Sequence, residues 1–319
     1  MEHKKKIIVT GGAGFIGSNY LNYAVKKYPR ELFINVDVLT YAADVHNVTV
    51  HEQKNYVFEK ADICDVGAMT SIFEQYQPTH IIHFAAESHV DQSISNPSLC
   101  IKTNVEGTDV LLRLARDYAL ARFHLISTDE IYGDLDKDGA PFTERSPYNP
   151  RNPYSASKAS AELLLGAYQN TFSLPGVVTR SSNNYGPRQD TTKLIPKFIL
   201  NLLQGEKVSV YGKGEQIRTW LYVEDSVRAI DLVFRKGRDG EIYNIGGTEE
   251  YTNLEITKKL LHLMKKSEHS IEYVADRPGH DFRYALSNEK IERDLGWKPK
   301  IAFEAGIKKT VAFYKKQAA

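Results

Sequence analysis

At 319 residues, the chain exceeds the size at which a single hydrophobic core stops growing, so we expect one large α/β unit with a smaller lobe. Its 41 basic side chains nearly balance 40 acidic ones, and a net charge of +1 lacks the basic excess that would indicate a nucleic-acid partner. Two cysteines are too few for a disulfide framework and no apolar run is long enough to span a membrane, so we expect a soluble, cytoplasmic protein with no membrane partner.

The first predicted element is a buried strand at residues 6–10, which runs directly into a glycine-rich segment at 11–18 and then into a helix. Gly12, Gly14 and Gly17 fit the G-x-G-x-x-G fingerprint, and Gly11 overlaps it at a second spacing of three. Such glycines permit a tight turn and close approach to a pyrophosphate, which then faces the N-terminus of the helix. The segment therefore predicts a dinucleotide cofactor.

A second predicted strand, at residues 32–36, ends at Asp37, twenty residues after Gly17. A carboxylate at this place accepts a hydrogen bond from the 2′-hydroxyl of the adenosine ribose and repels a 2′-phosphate. The alternative role is a cap or turn residue after the strand. Because the spacing from the glycines fits the cofactor role, NAD is favoured over NADP.

Two further strands are predicted at residues 56–61 and 80–86, with a helix near 66–76 between them. Because the ends of parallel strands gather around such a cofactor, we expect Asp62 and Ile63 near the adenine, and Ala85 and Ala86 near the ribose and phosphates. The histidines of this region have no cysteine or carboxylate at ligand spacing. We therefore predict no metal site and a structural role for His83.

A helix at about 103–118 and a strand at 122–127 lead to Thr128, Asp129 and Glu130. The alternation of strands and helices predicts parallel pairing with right-handed crossovers, which is a doubly wound sheet of the Rossmann type. Tyr154 and Lys158 follow, four residues apart on one face of a predicted helix. An ammonium beside the phenol lowers its pKa and makes it a general base. Without the acidic pair, an ordinary helix start with an exposed lysine would be the better reading.

Several of these stretches together resemble the extended short-chain dehydrogenase/reductase superfamily and, within it, the dTDP-glucose 4,6-dehydratases over essentially the whole chain. The matching segments are GGAGFIGS (11–18), HFAAESHVDQSI (83–94), STDEIYGDL (127–135), NPYSASKAS (152–160), SNNYGP (182–187), YGKGEQIRTWLYVED (211–225), YNIGG (243–247) and DRPGHDFRYA (276–285). The specific part is Thr128-Asp129-Glu130, because related epimerases usually lack the acidic pair and GDP-mannose dehydratases carry serine in place of the aspartate. The resemblance also implies a homodimer formed through two long helices per subunit.

The same resemblance implies how the residues act. Tyr154 removes the C4 hydroxyl proton of a nucleotide hexose, most favourably dTDP-glucose, while hydride passes to NAD. Glu130 then removes the C5 proton, and a protonated Asp129 donates to the departing C6 hydroxyl, so the two carboxyl groups need separate pKa values. Hydride returns to C6. Thr128 is expected to hydrogen-bond near the C4 oxygen.

The predicted binding residues are distributed along the chain, and the Rossmann domain (1–185 and 226–250) interleaves with a smaller α/β nucleotide-sugar lobe (186–225 and 251–319). The cofactor residues are Gly11, Gly14, Phe15, Ile16, Gly17, Asp37, Leu39, Thr40, Asp62, Ile63, Ala85, Ala86, Ser88, Thr103, Tyr154, Lys158 and Asn184. The substrate residues are Ser88, Thr128, Asn183, Lys193, Leu194, Val210, Tyr211, Arg218, Asn244, Arg277, His280 and Tyr284.

Arg218 and Arg277 suit a diphosphate because a guanidinium offers a planar fork of donors, and an exposed structural ion pair is the alternative for each. Arg180 stands where the resembling enzymes commonly carry asparagine, and Ser209 where they carry proline. The alternatives for function are a 4-epimerase, a dehydratase of another nucleotide hexose, and a non-catalytic NAD-binding sensor. A sensor has no need of the acidic pair or of the tyrosine and lysine.

Overall fold

A computed structural model describes residues 3–276 and 280–318. The strands are β1 (Lys5–Thr10), β2 (Glu31–Val36), β3 (Tyr56–Glu59), β4 (His80–His83), β5 (Arg122–Thr128), β6 (Gly176–Ser181), β7 (Asn183–Tyr185), β8 (Val208–Tyr211), β9 (Ile217–Tyr222), β10 (Ile242–Ile245), β11 (Glu250–Thr252), β12 (Ile271–Val274) and β13 (Arg283–Tyr284). The helices are α1 (Phe15–Lys27), α2 (Val66–Tyr76), α3 (Val90–Ser95), α4 (Pro97–Cys100), α5 (Gly107–Asp117), α6 (Pro153–Phe172), α7 (Leu194–Gln204), α8 (Val223–Lys236), α9 (Asn253–Met264), α10 (Glu289–Leu295) and α11 (Phe303–Gln317).

A seven-stranded parallel sheet, in the order β10-β6-β5-β4-β1-β2-β3, forms the centre of the molecule. Its helices cover both faces. Ile7 and Val9 of β1 pack into one core with residues of α1 and α8, whereas Ile8 packs into the opposite core with residues of α2, α5 and α6. Since successive side chains of a strand point to opposite faces, a continuous apolar run is what a doubly covered strand requires. The predicted doubly wound α/β fold is confirmed.

The strand at His80–His83 is shorter than the predicted 80–86. The chain leaves the sheet here because β1 has already turned into the glycine-rich loop, and the last hydrogen bonds go to a single residue of β1. The N–H of Phe84 donates to the carbonyl oxygen of Thr10 (3.0 Å), and the N–H of Ala85 donates to the Thr10 hydroxyl (3.3 Å). The segment beyond His83 is thereby free to line the cavity described below.

The helix predicted from about residue 103 begins differently. A six-residue π-helix, Ile101–Glu106, continues from α4 and passes into α5. Its Asn104 is buried and holds the neighbouring loop, because its amide group bonds both the N–H (2.8 Å) and the carbonyl oxygen (3.0 Å) of Glu87. Wide π turns of this kind commonly occur at functional sites.

The second half of the chain adds two small sheets with their own apolar core. Strands β11, β9 and β13 form one sheet, to which β7 is joined through β9, and β12 pairs with β8. Helices α7, α9 and α11 contribute Ile199, Leu260 and Ile307 to the core beneath them. The division of the chain into interleaved domains at 1–185 with 226–250, and 186–225 with 251–319, stays a prediction.

Candidate active site

A cavity of about 340 Å³ lies at the carboxyl ends of the central strands, which is where ligands bind in open parallel sheets. Every predicted cofactor residue except Leu39 and Asn184 lines this cavity. Of the predicted substrate residues, Ser88 and Lys193 line it too. The Nζ atom of Lys193 donates to the carbonyl oxygen of Ser88 (2.9 Å), so the start of α7 is tied to the loop after β4.

The glycine-rich loop forms one wall. Gly11 adopts a left-handed conformation (φ +68°), and a Cβ atom there would lie 2.6 Å from the backbone nitrogen of Ala85. A Cβ atom on Gly17 would collide with the carbonyl oxygen of Gly11. Only glycine fits both positions, and the N-terminus of α1, which begins at Phe15, opens beside them. Backbone N–H groups and a helix N-terminus suit a pyrophosphate.

Asp37 stands at the end of β2, as the sequence predicts. Its carboxylate accepts from the N–H of Ala13 (2.9 Å) and from the N–H of Leu39 (2.9 Å), which holds the glycine-rich loop and the next loop in register. Burial raises the pKa of Asp37, and these two bonds oppose that rise. Leu39 does not line the cavity, and its positive φ of 62° belongs to the turn that presents its N–H to the carboxylate. Each oxygen of Asp37 retains a lone pair for a ribose hydroxyl.

Within the described chain, three buried side-chain oxygens beyond β6 lack donors, and of these residues only Gln189 lines the cavity. The amide oxygens of Asn183, Asn184 and Gln189 are buried and accept no hydrogen bond from the described part of the chain. Asn184 is held by its nitrogen, which donates to the Ser182 carbonyl oxygen (2.9 Å). A buried acceptor without a donor is costly, so a ligand in the cavity that donates to Gln189 would stabilise the site.

Tyr154 and Lys158 lie on α6, which begins with a capping box formed by Asn152 and Ser155. Lys158 is buried and its Nζ atom donates to the carbonyl oxygen of Ile126 on β5 (2.7 Å). Burial lowers the pKa of Lys158 to about 8. At neutral pH the lysine is still mostly charged, and it loses that charge as the pH rises through about 8.

The expected lowering of the Tyr154 pKa by Lys158 is wrong for the protein by itself. Burial raises the pKa of Tyr154, and the charge of Glu130 raises it further. The group that opposes this rise is Thr128, whose hydroxyl bonds the phenol. Removing water around the phenol costs the phenolate more than the neighbouring residues return to it. Thr128 is therefore the residue that favours the phenolate.

The acidic pair stands at the end of β5 as predicted. Asp129 is buried, and its Oδ1 atom lies 3.3 Å from the Thr128 hydroxyl, whose single hydrogen can be donated either to this oxygen or to the phenol of Tyr154. Burial first, and then the charge of Glu130, raise the pKa of Asp129 to about 8, while Arg218 opposes the rise. The Oδ2 atom is buried and has no hydrogen-bond partner among the described residues. Asp129 is thus a protonated acid at neutral pH.

Glu130 is only half-buried, and its Oε2 atom accepts from the side chain of Asn152 (3.3 Å), just before α6. Two adjacent carboxyl groups therefore meet different surroundings, one dry and one partly open to water. Such a difference separates an acid from a base within one site. The arrangement can remove one proton and donate another.

In the smaller lobe, Arg218 is buried over the ring of Tyr284 (4.4 Å) and donates to backbone carbonyls of residues 217, 281 and 282. The hydroxyl of Tyr284 donates to Asp281. Arg218 thus contributes its charge to the acidic pair, as its effect on Asp129 shows, while its N–H groups are largely engaged. Its contact with a diphosphate stays a prediction.

Four predicted substrate residues lie elsewhere in this lobe. Val210 is buried in β8, Tyr211 is exposed at its end with its ring edge-on to His280, and Leu194 begins α7. His280 bonds Asp276 (2.7 Å). Arg277 lies outside the described residues.

Asn244 has a different environment from the one expected. It is fully buried; its amide accepts from the Tyr132 hydroxyl (2.8 Å) and donates to the carbonyl oxygen of Phe142 (3.1 Å). Its backbone N–H donates to Glu144 (2.8 Å). Its contact with substrate stays a prediction.

The cavity also contains residues that the sequence did not single out. Glu87, Lys102, Ser127, Gln189 and Asp190 are among its lining side chains. They come from loops, from β5 and from the π-helix, and share no motif. Only their proximity to segments already assigned could have indicated them.

Comparison with known proteins agrees with this site. Residues 8–310 match the family described as GDP-mannose 4,6 dehydratase, and the chain belongs to this family. A curated dTDP-glucose 4,6-dehydratase of Shigella flexneri is 49% identical over 334 residues, covering 97% of this chain and 92% of that protein. The crystal structure of a dTDP-glucose 4,6-dehydratase from Streptomyces venezuelae, with NAD bound, is 44% identical, with a TM-score of 0.93 over 98% of this chain and 97% of that one.

The crystal structure of a UDP-glucose 4-epimerase from Thermotoga maritima is also similar, with 33% identity and a TM-score of 0.92 over 98% of this chain and 100% of that one. The backbone is therefore shared by dehydratases and an epimerase. Reaction type has to be argued from the residues of the site, since a fold does not determine chemistry.

Proposed function

We propose that the protein is an NAD-dependent hydro-lyase that converts dTDP-glucose into dTDP-4-keto-6-deoxy-glucose. The observation that carries the proposal is Asp129, a buried acid whose pKa is raised to about 8 and whose Oδ2 atom lacks a hydrogen-bond partner in the described chain. A carboxylic acid kept protonated at neutral pH is a proton donor for a departing hydroxyl. The similarity to dTDP-glucose 4,6-dehydratases supports the choice of sugar and nucleotide.

In this reaction, Tyr154 takes the proton from the C4 hydroxyl, and Thr128 stabilises the phenolate that does so. NAD, when bound, supplies the hydride acceptor at C4 and the hydride donor at C6. A keto group at C4 acidifies the C5 hydrogen, which Glu130 removes. Asp129 donates its proton to the C6 hydroxyl, so water leaves and a C5–C6 double bond forms. Tyr154 or solvent then returns a proton to C5 as C6 is reduced.

Lys158 helps to position the cofactor and does not transfer a proton in this reaction. Its hydrogen bond to the Ile126 carbonyl oxygen fixes its ammonium group at the cofactor side of α6. From there it can donate to ribose hydroxyls. The site does not support the alternative of a non-catalytic NAD-binding sensor, because binding NAD requires neither a protonated Asp129 nor a base beside it.

The decisive experiment is to incubate the purified protein separately with dTDP-glucose, UDP-glucose and GDP-mannose. We expect the 4-keto-6-deoxy product from dTDP-glucose, detected by mass spectrometry as the loss of water. If only the C4 epimer formed, the protein would be a 4-epimerase and the proposed dehydratase function would be wrong. If the protein dehydrated another nucleotide hexose faster than dTDP-glucose, the proposed reaction would stand and the proposed substrate would be wrong.

A homodimer is part of the same proposal. Ile94, Leu99, Ile101, Leu163 and Phe172 are exposed on α3, α4, the π-helix and α6, which pack beside one another. Leu163 has 60% of its surface exposed, which is unusual for an apolar residue in the middle of a long helix. A second copy of the chain would cover these side chains. Light scattering should give twice the chain mass for the parent and a lower mass for Leu163→Glu.

Location in a reducing compartment, such as the cytoplasm, is proposed from the cysteines. Cys64 and Cys100 are both free. None of the described helices meets the length and hydropathy needed to cross a bilayer.

A further inference from the structure

Beneath the acidic pair lies a buried ion pair that the mechanism above does not use. Arg180 of β6 has 1% of its surface exposed and Glu162 of α6 has 4%. The Arg180 Nε and Nη2 atoms donate to the Glu162 carboxylate at 3.0 and 2.7 Å. We call the residues joined to this pair the Arg180 cluster: Ser127, Tyr132, Tyr148, Glu162, Arg180 and Asn244.

Two more N–H groups of the guanidinium bond tyrosine hydroxyls. Nη1 donates to the Tyr132 hydroxyl (2.6 Å) and Nη2 to the Tyr148 hydroxyl (2.8 Å). Both tyrosine rings also lie against the guanidinium, with centroids 4.8 and 4.9 Å from its central carbon. The Tyr132 hydroxyl in turn donates to the amide oxygen of Asn244. A buried charge held by this many bonds fixes the positions of its partners closely.

Those partners bracket the catalytic segment. Ser127, which immediately precedes Thr128, donates its hydroxyl hydrogen to Glu162. Tyr132 ends the short 3-10 helix that begins at Asp129. Both flanks of the Thr128-Asp129-Glu130 segment are therefore bonded to a single ion pair.

The same pair also holds the catalytic helix. Glu162 lies one turn after Lys158 on α6, and its carboxylate joins that helix to β5 through Ser127 and to β6 through Arg180. In register, Arg180 stands opposite Ser127 on one neighbouring strand and opposite Asn244 on the other. The cluster thus spans three strands one residue below the site.

We propose that Arg180 and Glu162 are positioning residues, which set the distance between the acidic pair that follows β5 and the tyrosine and lysine on α6. This inference rests on the proposed dehydratase function. A displacement of about 1 Å between reacting groups can cost roughly a hundredfold in rate, so a shared anchor for both halves of the site is catalytically important. Neither residue touches the cavity.

The pair has a second effect through its charge. The titratable groups around Lys158 are Tyr154 and Glu162 on α6, His83 on β4, Arg180 on β6, and Asp129 with Glu130 beyond the tyrosine. Burial lowers the pKa of His83 to about 3, so that ring is neutral. Glu162 is the charge that opposes the lowering of the Lys158 pKa by burial. Removing both charges of the pair therefore favours neutral Lys158.

The test uses two variants and a matched control. Arg180→Lys keeps the charge and loses the planar fork of donors, whereas the double variant Glu162→Met with Arg180→Met removes both charges at similar volume. Arg235→Lys is the control, because Arg235 also grips a carboxylate, that of Glu31, with two nitrogens (2.9 and 2.8 Å), far from the cavity. For each protein, kcat, KM, bound NAD, Tm and the pH dependence of the C4 oxidation step are measured.

We expect Arg180→Lys to lower kcat roughly tenfold or more, with KM and bound NAD nearly unchanged, because the groups that bind remain while their mutual position changes. The double variant should show a similar loss, and its alkaline limit for C4 oxidation should move to lower pH. The control should keep the parental kcat and pH profile.

Parental kcat in both Arg180 variants would overturn the proposal. The proposal would also be overturned if unfolded protein accounted for the whole loss of kcat in these variants, or if the control Arg235→Lys lost as much kcat. If the parent protein formed no keto sugar, the proposed function itself would be overturned. The parent protein therefore tests the function, and the variants test the positioning role.

Discussion

The Nζ atom of Lys158 lies 2.7 Å from the carbonyl oxygen of Ile126, to which it donates, instead of being solvated. This burial lowers the pKa of Lys158 to about 8, so its charge is lost within the range that assays cover. The charged form is present below that pKa and disappears as pH rises through it. Because a neutral amine would bind the ribose hydroxyls of the cofactor less strongly than the ammonium group, we expect C4 oxidation, measured in a single turnover by nicotinamide absorbance, to fall above about pH 8. A rate that stays constant to pH 10 would contradict this.

Asp129→Asn separates catalysis from stability. The folded-state pKa of Asp129 is raised to about 8, above its unfolded value, so its contribution to stability is greatest at low pH and is lost as pH rises towards 8. An amide does not titrate. We expect the variant to gain stability over the parent as pH increases from about 4 to 8, by on the order of a few kcal/mol, in parallel urea titrations.

The same variant should lose roughly a hundredfold or more of its dehydration rate, since an amide cannot protonate the C6 hydroxyl. C4 oxidation should persist. A variant as active as the parent would exclude Asp129 as the acid.

Glu130→Gln tests the base. Tyr154 and Lys158 remain, so C4 oxidation should proceed while removal of the C5 proton nearly stops. Reduced nicotinamide absorbance should then accumulate with dTDP-glucose, and exchange of the C5 hydrogen with solvent should fall sharply, as NMR in deuterated water would show. Product formation at the parental rate would assign the base elsewhere.

Tyr154→Phe keeps the ring and removes the hydroxyl. Turnover should fall by roughly a hundred to ten thousandfold, as expected for loss of a general base, while NAD binding persists. Thr128→Val is an informative companion, because the Thr128 hydroxyl is the group that opposes the raised pKa of Tyr154. We expect Thr128→Val to move the pH-rate profile to higher pH and to lower the rate less than Tyr154→Phe does.

Asp37 should determine the choice between NAD and NADP. Its carboxylate already accepts two backbone N–H groups, which keeps it oriented where a ribose 2′-hydroxyl would donate. Calorimetry should show tighter binding of NAD than of NADP, and Asp37→Ser should narrow the difference. Equal affinities in the parent would remove Asp37 from this role.

Local patterns determined the parts of the site that stand on single elements. The apolar run of β1, the glycines after it and Asp37 lie where their spacing predicts, because a parallel strand and its following turn fix those positions within a few residues. The four-residue interval between Tyr154 and Lys158 likewise places both on one face of α6. Periodicity within one element is sufficient for such predictions.

Tertiary packing decided the protonation of the site and the roles of distant residues. The sequence predicted a lowered pKa for Tyr154 from a nearby lysine, whereas burial raises it, and burial depends on every element that packs over the phenol. Asn244 resembles a ligand residue in sequence but lies in the Arg180 cluster. Arg180 and Glu162, eighteen residues apart on different elements, meet only when α6 packs against β5 and β6. Desolvation and contacts between elements are properties of the folded chain, which no local spacing encodes.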